Sequence, residues 1–154
     1  MLRYTPMPST VAAGFRRGEP DAYGMTPEQH VSDGEGMPCR HCLKNIAAGD
    51  GYLILAYRPF PALQPYAETG PIFLHAQECA TYEEEKIPPI LTTSKDYLLR
   101  GYSSDDRIVY GTGAVTPMEE LSTKASEILG QDEVAYVHVR SARNNCYQCR
   151  IDAA

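Results

Sequence analysis

Cys39, Cys42, His75 and Cys79 constrain this chain more than any other residues. They stand as C-R-H-C, thirty-two intervening residues, then H-A-Q-E-C. Two pairs of soft ligands, each spaced for a single turn, flank a stretch that reads as a β-hairpin, and this pattern points to a tetrahedral zinc site. A fold that forms such a site must return residue 75 to the level of residue 39. A hairpin does this. After the turn Ala48-Gly49-Asp50-Gly51, the run Tyr52 to Arg58 is dense in aliphatic and aromatic residues and is expected as a buried or half-buried strand. A proline-containing loop from Pro59 to Pro71 precedes a second short strand, Ile72-Phe73-Leu74.

Other ligand sets compete with this one. His41 lies inside the knuckle and could replace His75, and Cys146 with Cys149 forms a second C-x-x-C pair that could reach the same ion or hold another one. That second pair falls on an expected strand, where positions three apart point to opposite faces, so it is expected not to ligate. Without a metal, Cys39 and Cys79 would be small buried apolar residues and His75 a structural imidazole. The knuckle, including Cys42-Leu43-Lys44-Asn45-Ile46 and then Gly49, resembles that of treble-clef zinc fingers.

Enzyme chemistry is harder to write onto these residues. A thiol-redox cysteine is activated at a helix N-terminus, and neither pair opens a helix: Cys42 runs into a turn and Cys149 lies five residues from the last residue. A zinc-dependent reaction would need an open coordination position and a base, for which Glu78 is the candidate. The order H-A-Q-E-C does not follow the deaminase pattern, and c-type haem attachment is excluded because Leu43 and Arg150 follow the second cysteines. The chain carries no Gly-x-Ser-x-Gly elbow, no phosphate-binding glycine loop and no dinucleotide fingerprint; Gly111-Thr112-Gly113 reads as a turn.

The 154 residues suit one domain with its own core, and 43% hydrophobic with 22% charged residues is a globular composition. A formal net charge of −6 disfavours nucleic acid, whose phosphates demand lysine and arginine to displace counterions. A small molecule or another protein is the expected partner. The first twenty residues contain no apolar h-region and the longest apolar run is Leu53 to Tyr57, so a soluble, cytoplasmic protein that does not span a membrane is expected. Five cysteines, four of them in C-x-x-C pairs, then favour metal binding or free thiols over disulfides.

Residues 1–36 are broken by prolines and glycines and are expected to form an irregular segment of the same domain, with a short helix near Thr10 to Arg17 and a strand near Gln29 to Ser32. Residues 37–154 form the core. Tyr97 to Tyr102 and Arg107 to Tyr110 suggest a hairpin around Ser103-Ser104-Asp105-Asp106. Thr116 as N-cap, Pro117 at the first helical position and Glu119 predict a capping box that opens the main helix, with Gly130 as its stop. Val134 to Arg140 and Cys146 to Ile151 complete the strands, giving an α+β domain with an antiparallel or mixed sheet. Alternation puts Tyr136, His138 and Arg140 on one face. With Arg58 they could form a small anion site, although an ordinary solvent face is the expected reading.

Pro38-Cys39-Arg40, Tyr66-Ala67-Glu68-Thr69-Gly70-Pro71-Ile72-Phe73, Ala135-Tyr136-Val137-His138-Val139-Arg140 and Cys146-Tyr147 together resemble the bacterial family called domain of unknown function 1203. The resemblance covers the chain from Pro38 onwards, with Gly-Pro-Ile-Phe its most specific segment. It implies a stand-alone bacterial protein without an established activity. It also implies that the cysteine and histidine positions mark a subgroup and do not define the fold. The sequence therefore reads as a binding or interaction module with a structural zinc on Cys39, Cys42, His75 and Cys79. The alternatives are a thiol-redox enzyme through Cys146 and Cys149 and a zinc-dependent one.

Overall fold

The chain forms eight strands, and the strands sort into two antiparallel sheets. In the computed structural model, which describes residues 1–154, the larger sheet contains Leu2–Thr5 (β1), Asp96–Tyr102 (β5), Ala114–Pro117 (β6), Tyr136–Ser141 (β7) and Tyr147–Ala153 (β8), in the order β1-β8-β7-β5-β6. The smaller contains Glu28–Val31 (β2), Gly51–Tyr57 (β3) and Gly70–His75 (β4), with β3 in the middle. Two helices, Ser9–Arg16 (α1) and Leu121–Leu129 (α2), make the class α+β.

Each sheet has its own core. Tyr97 and Leu99 of β5, Val137 and Val139 of β7, and Cys149 and Ile151 of β8 recur at every second position and face α2. The helix answers with Leu121, Ala125 and Ile128, which follow its turns at i, i+4 and i+7. Full burial of a Leu or Ile contributes roughly 1.5–3 kcal/mol, so this layer is the main stabilising element of the larger sheet. Close approach is made possible at Gly101, where an added Cβ would stand 2.9 Å from Ile128 Cγ2 and 3.0 Å from Thr112 Oγ1. The second core joins Leu53 and Leu55 of β3, facing Leu74 and Ile72 of β4, to Ala12 of α1 and to Cys39, Cys42 and Ile46.

Several expectations are corrected by the structure. The capping box at Thr116 does not form: Thr116 and Pro117 close β6, paired with Tyr97 and Asp96, and Thr116 Oγ1 donates to the Ala114 carbonyl. Residues Met118–Glu120 make a 3-10 turn and α2 begins only at Leu121. Pairing with β5 competes with the cap and prevails, while Gly130 does end the helix. Arg107 to Tyr110 is not a strand. It makes one isolated bridge from Ile108 to Tyr102, and the full partners of β5 are β6 and β7.

His138 and Arg140 do not face solvent; they are 1% and 4% exposed. The loop after β3 covers them, with the Phe60 ring 5.0 Å from the imidazole. Finally, β1 pairs with β8 from the opposite end of the chain, a strand that local sequence did not announce.

Candidate metal centre

The turn Cys39-Arg40-His41-Cys42 is closed by the Leu43 amide, which donates to the Cys39 carbonyl at 3.1 Å, and by the Cys39 amide, which donates to the Lys44 carbonyl at 3.0 Å. Leu43 takes φ +54°, a left-handed conformation that costs a non-glycine residue roughly 1–2 kcal/mol. Its side chain is fully buried in the core of the larger sheet, whereas Cys39 and Cys42 belong to the core of the smaller one. The knuckle thus sits between the two cores. Its carbonyls also tie down distant segments: Arg40 accepts from the Met7 amide at 2.9 Å, His41 from Tyr82 at 3.3 Å and Leu43 from Ile90 at 3.1 Å. Buried Arg40 adds a bond from Nε to the Tyr147 carbonyl of β8 at 2.7 Å.

The second ligand pair arrives on β4. His75 is its last residue, paired with Tyr52, and the chain then turns out of the sheet to Cys79. An isolated parallel bridge joins Cys39 to Phe73 and brings the end of β4 alongside the knuckle. As a result the ligand atoms of Cys39, Cys42, His75 and Cys79 all lie within 4.8 Å of one another. Cys39 Sγ stands 3.9 Å from Cys79 Sγ, and Cys42 Sγ stands 3.4 Å from His75 Nδ1. A tetrahedron with metal–sulfur bonds of about 2.3 Å and metal–nitrogen bonds of about 2.0 Å has edges of about 3.8 and 3.5 Å, so these separations fit a shared ion. No disulfide competes, since all five cysteines are free.

Neighbouring groups are arranged for negative charge on sulfur. The His75 amide points at Cys39 Sγ (3.4 Å), and Arg16 at the end of α1 donates from Nη2 to Cys79 Sγ at 3.1 Å and from Nε to the His75 carbonyl at 3.0 Å. His41 Nδ1 lies 3.2 Å from Cys79 Sγ while its Nε2 meets Ser9 Oγ at 2.8 Å. His41 therefore orients Cys79 from outside the quartet and does not replace His75. Hydrogen bonds from Cys42 and Cys79 hold the Cys39 thiol well below its ordinary range, and the same contact with Cys39 pushes Cys42 and Cys79 up. Such partners to a ligand typically change metal affinity 10–100-fold when removed, roughly. Nothing in the sequence directed Arg16 or Ser9 to this site. A basic residue in the last turn of a short helix is common and carries no signal of its target.

The other candidates are not brought to this site. Cys149 is fully buried in the core of the larger sheet, where burial pushes its thiol up to about 12, and Cys146 lies in the preceding turn against the Asn144 carbonyl. A thiol held protonated in this way is a poor nucleophile. Glu78 is exposed, and a tetrahedral ion held by all four residues of the quartet would have no position left for water.

Comparison with known proteins agrees with the segments singled out in the sequence. The family model described as a protein of unknown function, DUF1203, matches residues 36–153. The chain belongs to the DUF1203 family. Of the quartet, all four residues lie inside the matched region, whereas Arg16 and Ser9 on α1 lie before it. No curated protein and no solved structure matches the chain. No helix of this DUF1203 protein is long and apolar enough to cross a membrane.

Proposed function

We propose that Cys39, Cys42, His75 and Cys79 hold a zinc ion with a structural role, in a knuckle of treble-clef kind, and that the domain is a cytoplasmic binding or interaction module. The convergence of four ligand atoms within 4.8 Å carries this reading. Three thiolates and an imidazole are a donor set suited to zinc, and hard cations such as calcium or magnesium would require oxygen ligands. The position of the knuckle between the two cores supports a structural role over a catalytic one, because the ion would fasten the knuckle to the end of β4, where strand pairing supplies only one isolated bridge.

Metal analysis of protein purified under reducing conditions tests the assignment. One zinc per chain is expected in the wild type, with loss in Cys42→Ser and full retention in Cys149→Ser. Full zinc in Cys42→Ser would overturn the ligand set, and a wild-type chain that takes up no zinc would overturn the metal.

A further inference from the structure

A cleft of about 610 Å³ opens between the end of β3 and the covered face of the larger sheet. Its volume falls within the roughly 300–1,000 Å³ of small-molecule sites. Tyr57 and Phe60 line one side, and His138 of β7 and Tyr147 of β8 line the other. None of these residues belongs to the metal quartet.

Two features of the cleft call for an occupant. The first is His138, whose ring is packed among Phe60, Tyr102, Tyr136 and Tyr147 at centroid distances of 5.0, 4.6, 5.2 and 4.8 Å. Its Nδ1 is buried without a hydrogen-bond partner. No protein group hydrogen-bonds its Nε2 either, and that edge of the ring is the one left for a ligand, since Nδ1 is fully enclosed. Burial, with Arg140, Arg150 and Arg100 nearby, holds this histidine well below its ordinary range, so the neutral ring offers one donor and one acceptor.

The second feature is charge. Arg3, Arg58 and Arg150 line the cleft of a chain whose net charge is −6. The two aspartates there are already engaged: Asp21 accepts from the amides of Tyr23, Met25 and Ala56, and Asp152 from Thr5 Oγ1 and Arg150. Arg58 commits only Nε, to the Phe60 carbonyl at 3.3 Å, and neither it nor Arg3 pairs with a carboxylate. Arg140, on the same face of β7 as His138, lies outside the cleft lining and is paired through Nη1 with Glu68 at 3.4 Å, so the charge the cleft offers is that of Arg3 and Arg58. Cationic groups with free N–H donors, set beside tyrosine and phenylalanine rings, recognise an anionic head attached to a flat or aliphatic body.

We propose that this cleft binds a small organic anion, a carboxylate or phosphate monoester with an apolar body, whose charged head meets Arg58 and whose polar edge meets His138. The site gives the binding module its ligand class and so rests on that reading of the domain, but it does not require the ion at the quartet.

Isotope-labelled wild-type chain, with its metal content measured in the same samples, is titrated with benzoate, phenyl phosphate and, as the neutral comparison, benzyl alcohol, while amide resonances are followed. Saturable shifts are expected at residues 56–58, 60, 138 and 147 with at least one anion, and binding about tenfold weaker or worse for the alcohol. Arg58→Gln should lose about tenfold in affinity and His138→Gln a similar factor, with melting temperatures establishing that both variants are folded; Arg107→Gln, away from the cleft, should bind as the wild type does. Zinc-loaded protein that shows no saturable shift in the cleft with either anion would overturn the site. Folded Arg58→Gln and His138→Gln that both bind like the wild type would overturn it equally, and equal binding of benzyl alcohol would overturn its anionic character. Protein that lacks zinc yet binds the anions would instead overturn the metal assignment and leave the cleft intact.

Discussion

Cys39–Cys42 and Cys146–Cys149 have the same spacing and opposite fates. In the first pair the backbone closes on itself through the Leu43 amide and the Cys39 carbonyl, and both sulfurs face His75 and Cys79. In the second, the chain leaves the turn at Cys146 and straightens into β8, so that Cys149 enters the core opposite Val139 while Cys146 stays half-exposed in the turn. Two cysteines three positions apart become a ligand pair only when the residues between them turn. The knuckle can turn because its inner carbonyls find partners in Met7, Tyr82 and Ile90, whereas Tyr147 and Cys149 are committed to partners on β7.

Substitutions can break this contrast in graded steps. The largest effect is expected for Cys42→Ser or for chelation of the wild type. Structural zinc contributes apparent binding energies of roughly 10–16 kcal/mol in finger peptides, against whole-domain stabilities of about 5–15 kcal/mol, so either treatment should lower the melting temperature sharply and unfold the smaller sheet. A melting curve that ignores chelator would show that nothing structural is held there. Next, Arg16→Gln should keep the metal but weaken its affinity roughly 10–100-fold, as read by competition with a chromogenic chelator. An unchanged affinity would reduce Arg16 to a surface contact.

Cys149→Ser should keep full metal and lose about 1–3 kcal/mol in denaturant unfolding, because a hydroxyl replaces a thiol in an apolar layer with no evident partner. Metal loss in this variant would erase the distinction between the two pairs. The smallest effect belongs to Cys146→Ser, within about 0.5 kcal/mol of the wild type. In the native protein at mild alkaline pH a maleimide should label Cys146 and leave Cys149 untouched; rapid labelling of Cys149 would mean that the larger sheet opens readily.

Much of the candidate site was legible because ligand chemistry fixes spacing. The quartet, the two hairpin strands β3 and β4, and the short α1 all follow from local patterns that the structure preserves. What local sequence hid was decided by long-range pairing. Leu2–Thr5 carries no strand signature strong enough to stand alone, and it is a strand because β8 offers it an edge. Thr116-Pro117 spells a helix start as well as a strand end, and only the presence of β5 beside it selects the second. The alternation of His138 and Arg140 correctly gave a shared face, but it could not say that the loop carrying Phe60 would cover that face. The orienting contacts of Arg16, His41 and Ser9 join segments too far apart in sequence for spacing to reveal them.

The placement of Leu43 ties the knuckle to both cores at once. A side chain fixed in one core, next to thiols fixed in the other, cannot be released without loosening both. Binding of an ion there stabilises the closed form by an amount that grows with the logarithm of its free concentration. Amides bonded to the knuckle, those of Met7, Tyr82 and Ile90, would then exchange with solvent through one shared event whose frequency tracks the surrounding metal level. Segments far apart along the chain would keep a common clock, and the ion would set its rate.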